Sequence, residues 1–199
     1  MYAYMEGNLV VLEATHAVVD VGGVGYYIRI SLFTYSKLTR EQRKTAKLYT
    51  YLQVQENAHH LFGFAEEAEK ELFLALIGVS GIGANTAIVM LSSLSPEEIQ
   101  QAIVAEEVKT IQSIKGIGAK TAQRVILELK DKLKKMVVVT ENTNATTIPH
   151  YRSVKEEALL ALTTLGFPKN VAEKNIETVF KKQGSDIDLE NLIKQALKL

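Results

Sequence analysis

A short glycine-rich phrase that occurs twice in the middle of the chain constrains its fold more than any other feature. Gly-Ile-Gly-Ala-Asn-Thr-Ala occupies 81–87, and Gly-Ile-Gly-Ala-Lys-Thr-Ala occupies 116–122, 35 positions further on. Each copy stands between two apolar runs of helical periodicity, which predicts a helix, a tight glycine turn and a second helix. Glycine allows the positive φ that such a turn needs, and it lets a bulky partner approach the bare backbone. The repeat therefore predicts two helix-hairpin-helix motifs in tandem.

The start of the helix after each turn is a candidate phosphate site. Amides of a first helical turn have no partner within the helix, and the helix dipole adds a partial positive charge to them. In the second copy Lys120 and Arg124 follow at helical spacing, which places two full charges beside these amides. Such contacts reach phosphates and not bases, so binding would depend on DNA shape. The alternative is that the glycines only let two helices pack closely.

The charge distribution supports a nucleic-acid partner although the net charge does not. The chain has 23 basic and 23 acidic side chains and a formal net charge of zero. Positive charge is nevertheless concentrated at the second hairpin, with a solvated helix face as the alternative interpretation. Between 114 and 135 the basic residues are Lys115, Lys120, Arg124, Lys130, Lys132, Lys134 and Lys135, and the acidic ones are Glu128 and Asp131.

The first part of the chain, 1–63, is rich in β-branched and aromatic residues and predicts a barrel. Five short strands are expected, with a tight glycine turn at 22–23 and a helical turn at Phe33–Leu38 before the fourth strand. Five strands interrupted in this way predict an OB-fold. The predicted strands are Asn8–Leu12, Ala17–Val21, Gly25–Ser31, Ala46–Val54 and Ala58–Phe62.

The rest of the chain is predicted to be helical, in two parts. Five helices over 64–136 contain both hairpins and form the expected DNA-binding domain, and Ser95 begins a capping box within it. Small polar residues over 137–150 predict a flexible linker. Residues 151–199 predict a three-helix bundle that starts at a capping box on Ser153 and is more suited to docking than to catalysis. The expected fold class is α+β multidomain.

Several kinds of chemistry are excluded by missing residues. The sequence has no cysteine, so disulfides and thiolate chemistry are excluded. It has no phosphate-binding Gly-x-x-x-x-Gly-Lys-Ser/Thr loop, so we expect no ATP hydrolysis. His59 and His60 are neighbours on a predicted strand and would face opposite sides, so we expect no metal and no cofactor. No long apolar segment and no leader pattern are present, so we expect a cytoplasmic protein.

The order of these parts resembles the RuvA family. The likeness covers the whole chain and includes Val-Gly-Gly-Val-Gly-Tyr at 21–26, Leu-Phe-Gly-Phe at 61–64, the paired hairpins, and Leu-Gly-Phe at 165–167. It implies a non-catalytic subunit that holds a four-way (Holliday) junction open as a homotetramer, with one or two tetramers per junction left undecided. It implies a role in DNA recombination, DNA repair and the SOS response to DNA damage.

The resemblance also implies partners and site residues. The tail would recruit and stimulate the hexameric ATPase RuvB for branch migration, and the resolvase RuvC would join the larger complex. In the first hairpin Asn85 stands where the family commonly has lysine, and in the barrel Asn57 replaces the second acid of the family's acidic pin. The implied DNA-binding residues are Gly81, Gly83, Thr86, Gly116, Gly118, Lys120, Thr121 and Arg124. Glu56 is the remaining pin acid, and Leu162, Leu165 and Phe167 are the motor-docking residues, with bundle core as the alternative for Leu162.

Two other functions stay open at this point. A DNA glycosylase or nuclease built on the same hairpins would need a carboxylate poised beside them, and the nearest acids after the second hairpin, Glu128 and Asp131, lie further along the basic helix. A protein-interaction module would use the hairpins only to pack helices.

Overall fold

The computed structural model describes residues 2–41, 44–142, 150–184 and 187–199. It divides into two compact units, 1–137 and 138–199. The first unit contains a barrel and a set of helices, and the second contains the helical tail.

The barrel has five strands and one helix. The strands are β1 (Tyr4–Glu13), β2 (His16–Val21), β3 (Val24–Ile30), β4 (Thr45–Gln55) and β5 (Ala58–Phe64), and helix α1 (Leu32–Glu41) separates β3 from β4. They close in the order β1-β2-β3-β5-β4, with β1 pairing β4 and β3 running parallel to β5. This is the topology of an OB-fold, and the prediction of a five-stranded barrel is confirmed.

The barrel core is formed by the inward-facing residues, which alternate with outward-facing ones along each strand. Ala17, Val19, Ile28 and Leu48 are fully buried, because every second residue of a strand faces inward. The turn between β2 and β3 uses positive φ at both glycines, 64° at Gly22 and 88° at Gly23, as the tight hairpin requires. The predicted turn is therefore confirmed.

Five helices follow the barrel: α2 (Glu67–Ile77), α3 (Ala84–Ser93), α4 (Pro96–Val104), α5 (Val108–Gln112) and α6 (Ala119–Asn142). The capping box on Ser95 is present, with bonds in both directions between Ser95 and Glu98. Phe73 of α2 packs against two rings of β5, at centroid distances of 5.5 Å to Phe62 and 4.8 Å to Phe64. The apolar core of these helices thus begins on the barrel's last strand.

A buried carboxylate also joins the barrel to the helices. Glu69 of α2 is fully buried, and it accepts hydrogen bonds from the hydroxyls of Ser31 at 2.5 Å and Thr34 at 2.6 Å. The amide of Ala65 donates to the same carboxylate at 3.2 Å. Burial raises the pKa of the Glu69 carboxyl above its usual range, although the hydroxyl donors oppose that shift.

The tail is a bundle of α7 (His150–Thr164), α8 (Lys169–Gln183) and α9 (Leu189–Ala196). Its core includes Ala158, Leu162, Ile176 and Leu192, all of them fully buried. The side chain of Asp188 caps α9 by accepting from the amide of Asn191 at 2.9 Å.

Several element bounds differ from the prediction: β1 begins at Tyr4 and not at Asn8, α1 is longer than the predicted turn at Phe33–Leu38, and α6 and α7 also differ. Helix α6 continues through 137–142, which the sequence assigned to the linker, because no glycine or proline interrupts that stretch. The other linker residues, 143–149, lie outside the described residues. Helix α7 begins at His150 and not at Ser153, because the three residues before Ser153 are also compatible with a helix.

Candidate nucleic-acid interface

The two glycine turns have the same geometry. Gly81 has φ of 95° and Gly116 has φ of 89°, so both need the left-handed conformation that glycine adopts without strain. The isoleucine after each of these glycines points into the core and closes the turn through its amide: Ile82 donates to the carbonyl of Val79 at 3.0 Å, and Ile117 donates to that of Ile114 at 3.1 Å. The repeated phrase therefore folds into two equivalent hairpins.

The second glycine of each hairpin faces open space. A Cβ built on Gly83 or Gly118 would meet no other atom within 4 Å. Gly83 has extended backbone, with φ of −90° and ψ of 169°, which any residue can adopt. Since neither the conformation of Gly83 nor packing within the chain requires glycine there, the bare backbone leaves room for a partner from outside.

The first turn of α3 offers free hydrogen-bond donors at the first hairpin. No side chain caps this N-terminus. Thr86, in the first turn of α3, and Thr121, at the equivalent place in α6, are half-buried, and neither hydroxyl has a hydrogen-bond partner among the described residues. Amides and hydroxyls in this arrangement suit an anion such as phosphate.

The second hairpin adds exposed positive charge. Lys115 and Lys120 are exposed, and neither forms an ion pair within the part of the chain that the structure describes. Lys130, further along α6, is paired with Glu106 and is therefore partly neutralised. The uncompensated charges of Lys115 and Lys120 therefore lie on the glycine turn and at the start of α6.

Arg124 lies between the two hairpins. Its Nη1 donates to the carbonyl oxygen of Ser80 at 3.2 Å, and its Nε is 3.9 Å from a carboxylate oxygen of Glu128. Both contacts are on the surface, so the guanidinium keeps donors for another partner. The side chain thus connects the second hairpin to the first.

One cation at the first hairpin was missed by the sequence interpretation. Arg29 comes from β3 of the barrel, and its Nη1 donates to Oδ1 of Asn85 at 3.1 Å. No local pattern marks this contact, because the two residues are 56 positions apart.

The proposed pin residue occupies a hairpin tip. Gln55 pairs with Ala58 at the end of β4 and β5, which leaves Glu56 and Asn57 as a two-residue turn. Both are exposed. The structure thus places Glu56 at the turn between the last two strands of the barrel.

The tail residues separate into core and surface. Leu162 is fully buried in the bundle core, which is the alternative that the sequence left open for it. Leu165 is 62 % exposed, and Phe167 packs partly against that core. Leu160, which the sequence interpretation did not single out, is 69 % exposed. Leu160, Leu165 and part of Phe167 are therefore accessible apolar side chains around the end of α7, and Val171, Leu197 and Leu199 elsewhere in the tail are exposed as well.

The described ranges contain no group of three or more metal-ligating side chains. None of their helices is long and apolar enough to cross a membrane.

The fold defines a tandem helix-hairpin-helix protein that carries an OB barrel before the hairpins and a three-helix bundle after them. Comparison with known families agrees: 1–63 match the RuvA N terminal domain, 73–131 a SAM-like helix-hairpin-helix tandem, and 153–199 the RuvA C-terminal domain. The chain belongs to the RuvA family.

Curated relatives extend this likeness over the full length. A protein of Cytophaga hutchinsonii is 53 % identical over 100 % of both chains. Proteins of Christiangramia forsetii and Bacteroides thetaiotaomicron are 46 % and 44 % identical, over 100 % of this chain and 99 % of theirs. All three are named Holliday junction branch migration complex subunit RuvA.

Proposed function

We propose that this protein is the non-catalytic DNA-binding subunit of a branch-migration complex, and that it holds a four-way junction open. The observation that carries the proposal is the pair of matched hairpins, tied together by Arg124 and Ser80, with open backbone at Gly83 and Gly118. Relatives at up to 53 % identity carry the corresponding name.

Each hairpin would bind a short stretch of sugar-phosphate backbone. Amides at the start of α3 and α6 and the hydroxyls of Thr86 and Thr121 would donate to phosphate oxygens, and Lys120 and Arg124 would add charge. Because these groups reach no base edge, affinity should depend on the shape of the branched DNA and be independent of its sequence.

Glu56 would act at the centre of the junction. A carboxylate at an exposed hairpin tip repels phosphates, which helps to keep strands apart where they cross. Keeping the strands apart in this way requires several copies of Glu56 around one centre, so we propose a homotetramer, which presents four such carboxylates. Whether one or two tetramers enclose the junction is left open in this proposal.

The parts of the chain would divide the work. We propose a barrel domain at 1–63, a hairpin domain at 64–136, a connecting segment within 137–150 and a docking domain at 151–199. The docking domain would recruit RuvB, the ATPase partner, through Leu160, Leu165 and Phe167, while Leu162 supports this surface from the core. RuvC would join the assembly, which would act in the cytoplasm during recombination and DNA repair.

An enzymatic role fits the interface less well. A hairpin glycosylase or nuclease needs a free carboxylate beside the bound strand, whereas Glu128 lies 3.9 Å from Arg124 on the same helix. We therefore propose that strand movement is driven by the partner and not by this chain.

Salt dependence of binding tests the proposal. Lys120→Gln should weaken binding to a synthetic four-way junction for all sequences alike, and it should reduce the slope of log K against log salt by about one unit for each subunit bound to the DNA. Lys198→Gln makes the same charge change in the tail and should leave the slope unchanged. An unchanged slope in Lys120→Gln would contradict the proposed interface.

A further inference from the structure

The two hairpins differ in charge at one equivalent position. Lys120 is the second residue of α6, and Asn85 is the second residue of α3. The repeated phrase is otherwise identical over 81–87 and 116–122. The first hairpin therefore has no cation of its own at the place where the second has one.

A cation from the barrel reaches that same position. Arg29, on β3, donates from Nη1 to Oδ1 of Asn85 at 3.1 Å. Its guanidinium carbon also lies 6.0 Å from the ring centroid of Phe62, a residue that is 1 % exposed. The asparagine and the buried ring brace the guanidinium from two directions, so it would lose little conformational freedom on binding a ligand.

The charge of Arg29 is not neutralised. Among the residues that the structure describes, no carboxylate lies within ion-pair distance of it. The amide of Asn85 is neutral and occupies one of the five N–H donors of the guanidinium. The remaining donors suit a phosphate, which arginine binds through two parallel hydrogen bonds.

We propose that Arg29, positioned by Asn85, is the phosphate-binding cation of the first hairpin. Arg29 supplies the first hairpin with a positive charge, as Lys120 supplies the second, and its ligand is the sugar-phosphate backbone of branched DNA. This inference rests on the proposed junction binding and deepens it by assigning a barrel residue to the hairpin interface. The role of Asn85 is positional, since its amide adds no charge.

Variants at the two positions test the inference in the full-length protein. Arg29→Gln should weaken junction binding about three- to tenfold, and reduce the salt slope by about one unit, for each subunit bound to the DNA. Arg40→Gln is the matched control, because Arg40 is an exposed residue of α1 whose loss makes the same charge change in the same barrel. Circular dichroism and thermal melting verify that each variant is folded.

Asn85 separates positioning from charge. Asn85→Ala leaves the charge of Arg29 and the barrel intact, so it should lower affinity with little change in salt slope. Asn85→Lys in the Arg29→Gln background returns a cation to the hairpin and should restore the slope to its wild-type value. Asn85→Ala does not depend on how well Arg29→Gln folds, because it leaves Arg29 in place.

Either of two results would overturn the inference. One is a salt slope for Arg29→Gln equal to that of Arg40→Gln, and the other is a salt slope for the double variant Arg29→Gln/Asn85→Lys that stays below the wild-type slope. Lys120→Gln, measured in parallel, separates this failure from that of the proposed function. If Lys120→Gln weakens binding and Arg29→Gln does not, only the assignment of Arg29 is wrong, whereas a wild-type protein that ignores the junction contradicts both.

Discussion

Arg124 of the second hairpin donates a hydrogen bond of 3.2 Å to the carbonyl oxygen of Ser80 in the first hairpin. The contact ties together the two loops proposed to grip DNA. We propose two tasks for this arginine, which are to supply a charge for phosphate and to hold the neighbouring loop.

Substitution of Arg124 should separate these tasks. Arg124→Ala should lower the salt slope of junction binding by about one unit for each subunit bound to the DNA, because each subunit loses a charged contact. Arg124→Lys keeps the charge but not the planar donors, so its slope should stay near wild type while affinity falls. Salt titrations of both variants make the comparison, and an unchanged slope in Arg124→Ala would count against a phosphate contact.

Gly83→Ala and Gly118→Ala should affect DNA binding more than folding. The added methyl group meets nothing in the protein, so we expect stability within about 1 kcal/mol of wild type. Junction affinity should nevertheless fall, because the methyl group would stand between backbone and phosphate. Gly81→Ala is the contrasting variant, since its φ of 95° strains any other residue and the protein itself should lose stability. Full affinity in Gly83→Ala and Gly118→Ala would show that DNA does not approach these glycines.

Glu69 should make the stability of the first unit depend on pH. Its raised pKa means that the folded state holds a proton that the unfolded state releases. The stability that Glu69 contributes is present below its pKa in the unfolded state, about 4.3, and is lost as pH rises through its higher pKa in the folded state. The urea midpoint of the wild type should therefore fall relative to that of Glu69→Gln as pH rises above about 4.3. A difference between the two midpoints that does not vary with pH would exclude this explanation.

The acidic turn should influence strands at the crossover. Glu56→Gln should tighten junction binding and reduce strand separation, because repulsion of phosphates is removed. Asn57→Asp should have the opposite effect. Fluorescence of 2-aminopurine at the crossover measures the separation, and equal signals from all three proteins would argue against a pin.

Core and surface leucines of the tail should respond differently. Leu165→Ala removes an exposed side chain, so the tail should stay folded while stimulation of the partner ATPase falls. Leu162→Ala leaves a cavity in the bundle and should destabilise it by about 2–5 kcal/mol. Thermal melting and ATPase assays distinguish the two, and normal stimulation by Leu165→Ala would remove that residue from the docking surface.

Local patterns predicted the elements that depend on local physics. The five strands follow from alternation, the turn at 22–23 from its two glycines, and the helix at Pro96 from the capping box on Ser95. The end of α6 was predicted too early, because the β-branched and polar residues over 137–142 suggested a linker although none of them breaks a helix.

Long-range contacts could not be predicted in this way. The bonds between Arg29 and Asn85 and between Ser31 and Glu69 join residues 56 and 38 positions apart, and no sequence period encodes them. Leu162 and Leu165 stand three positions apart, which suggests one helix face. Helix α7 ends at Thr164, so Leu165 follows the helix and becomes exposed while Leu162 stays in the core.

The central claim is that this protein recognises branched DNA by shape. The most direct measurement is a gel-shift titration of a four-way junction and a linear duplex of the same composition at one salt concentration, repeated with a second, unrelated sequence. The account predicts tighter binding to the junction in both sequences. Equal affinity for the two forms, or a preference for the duplex, would contradict it.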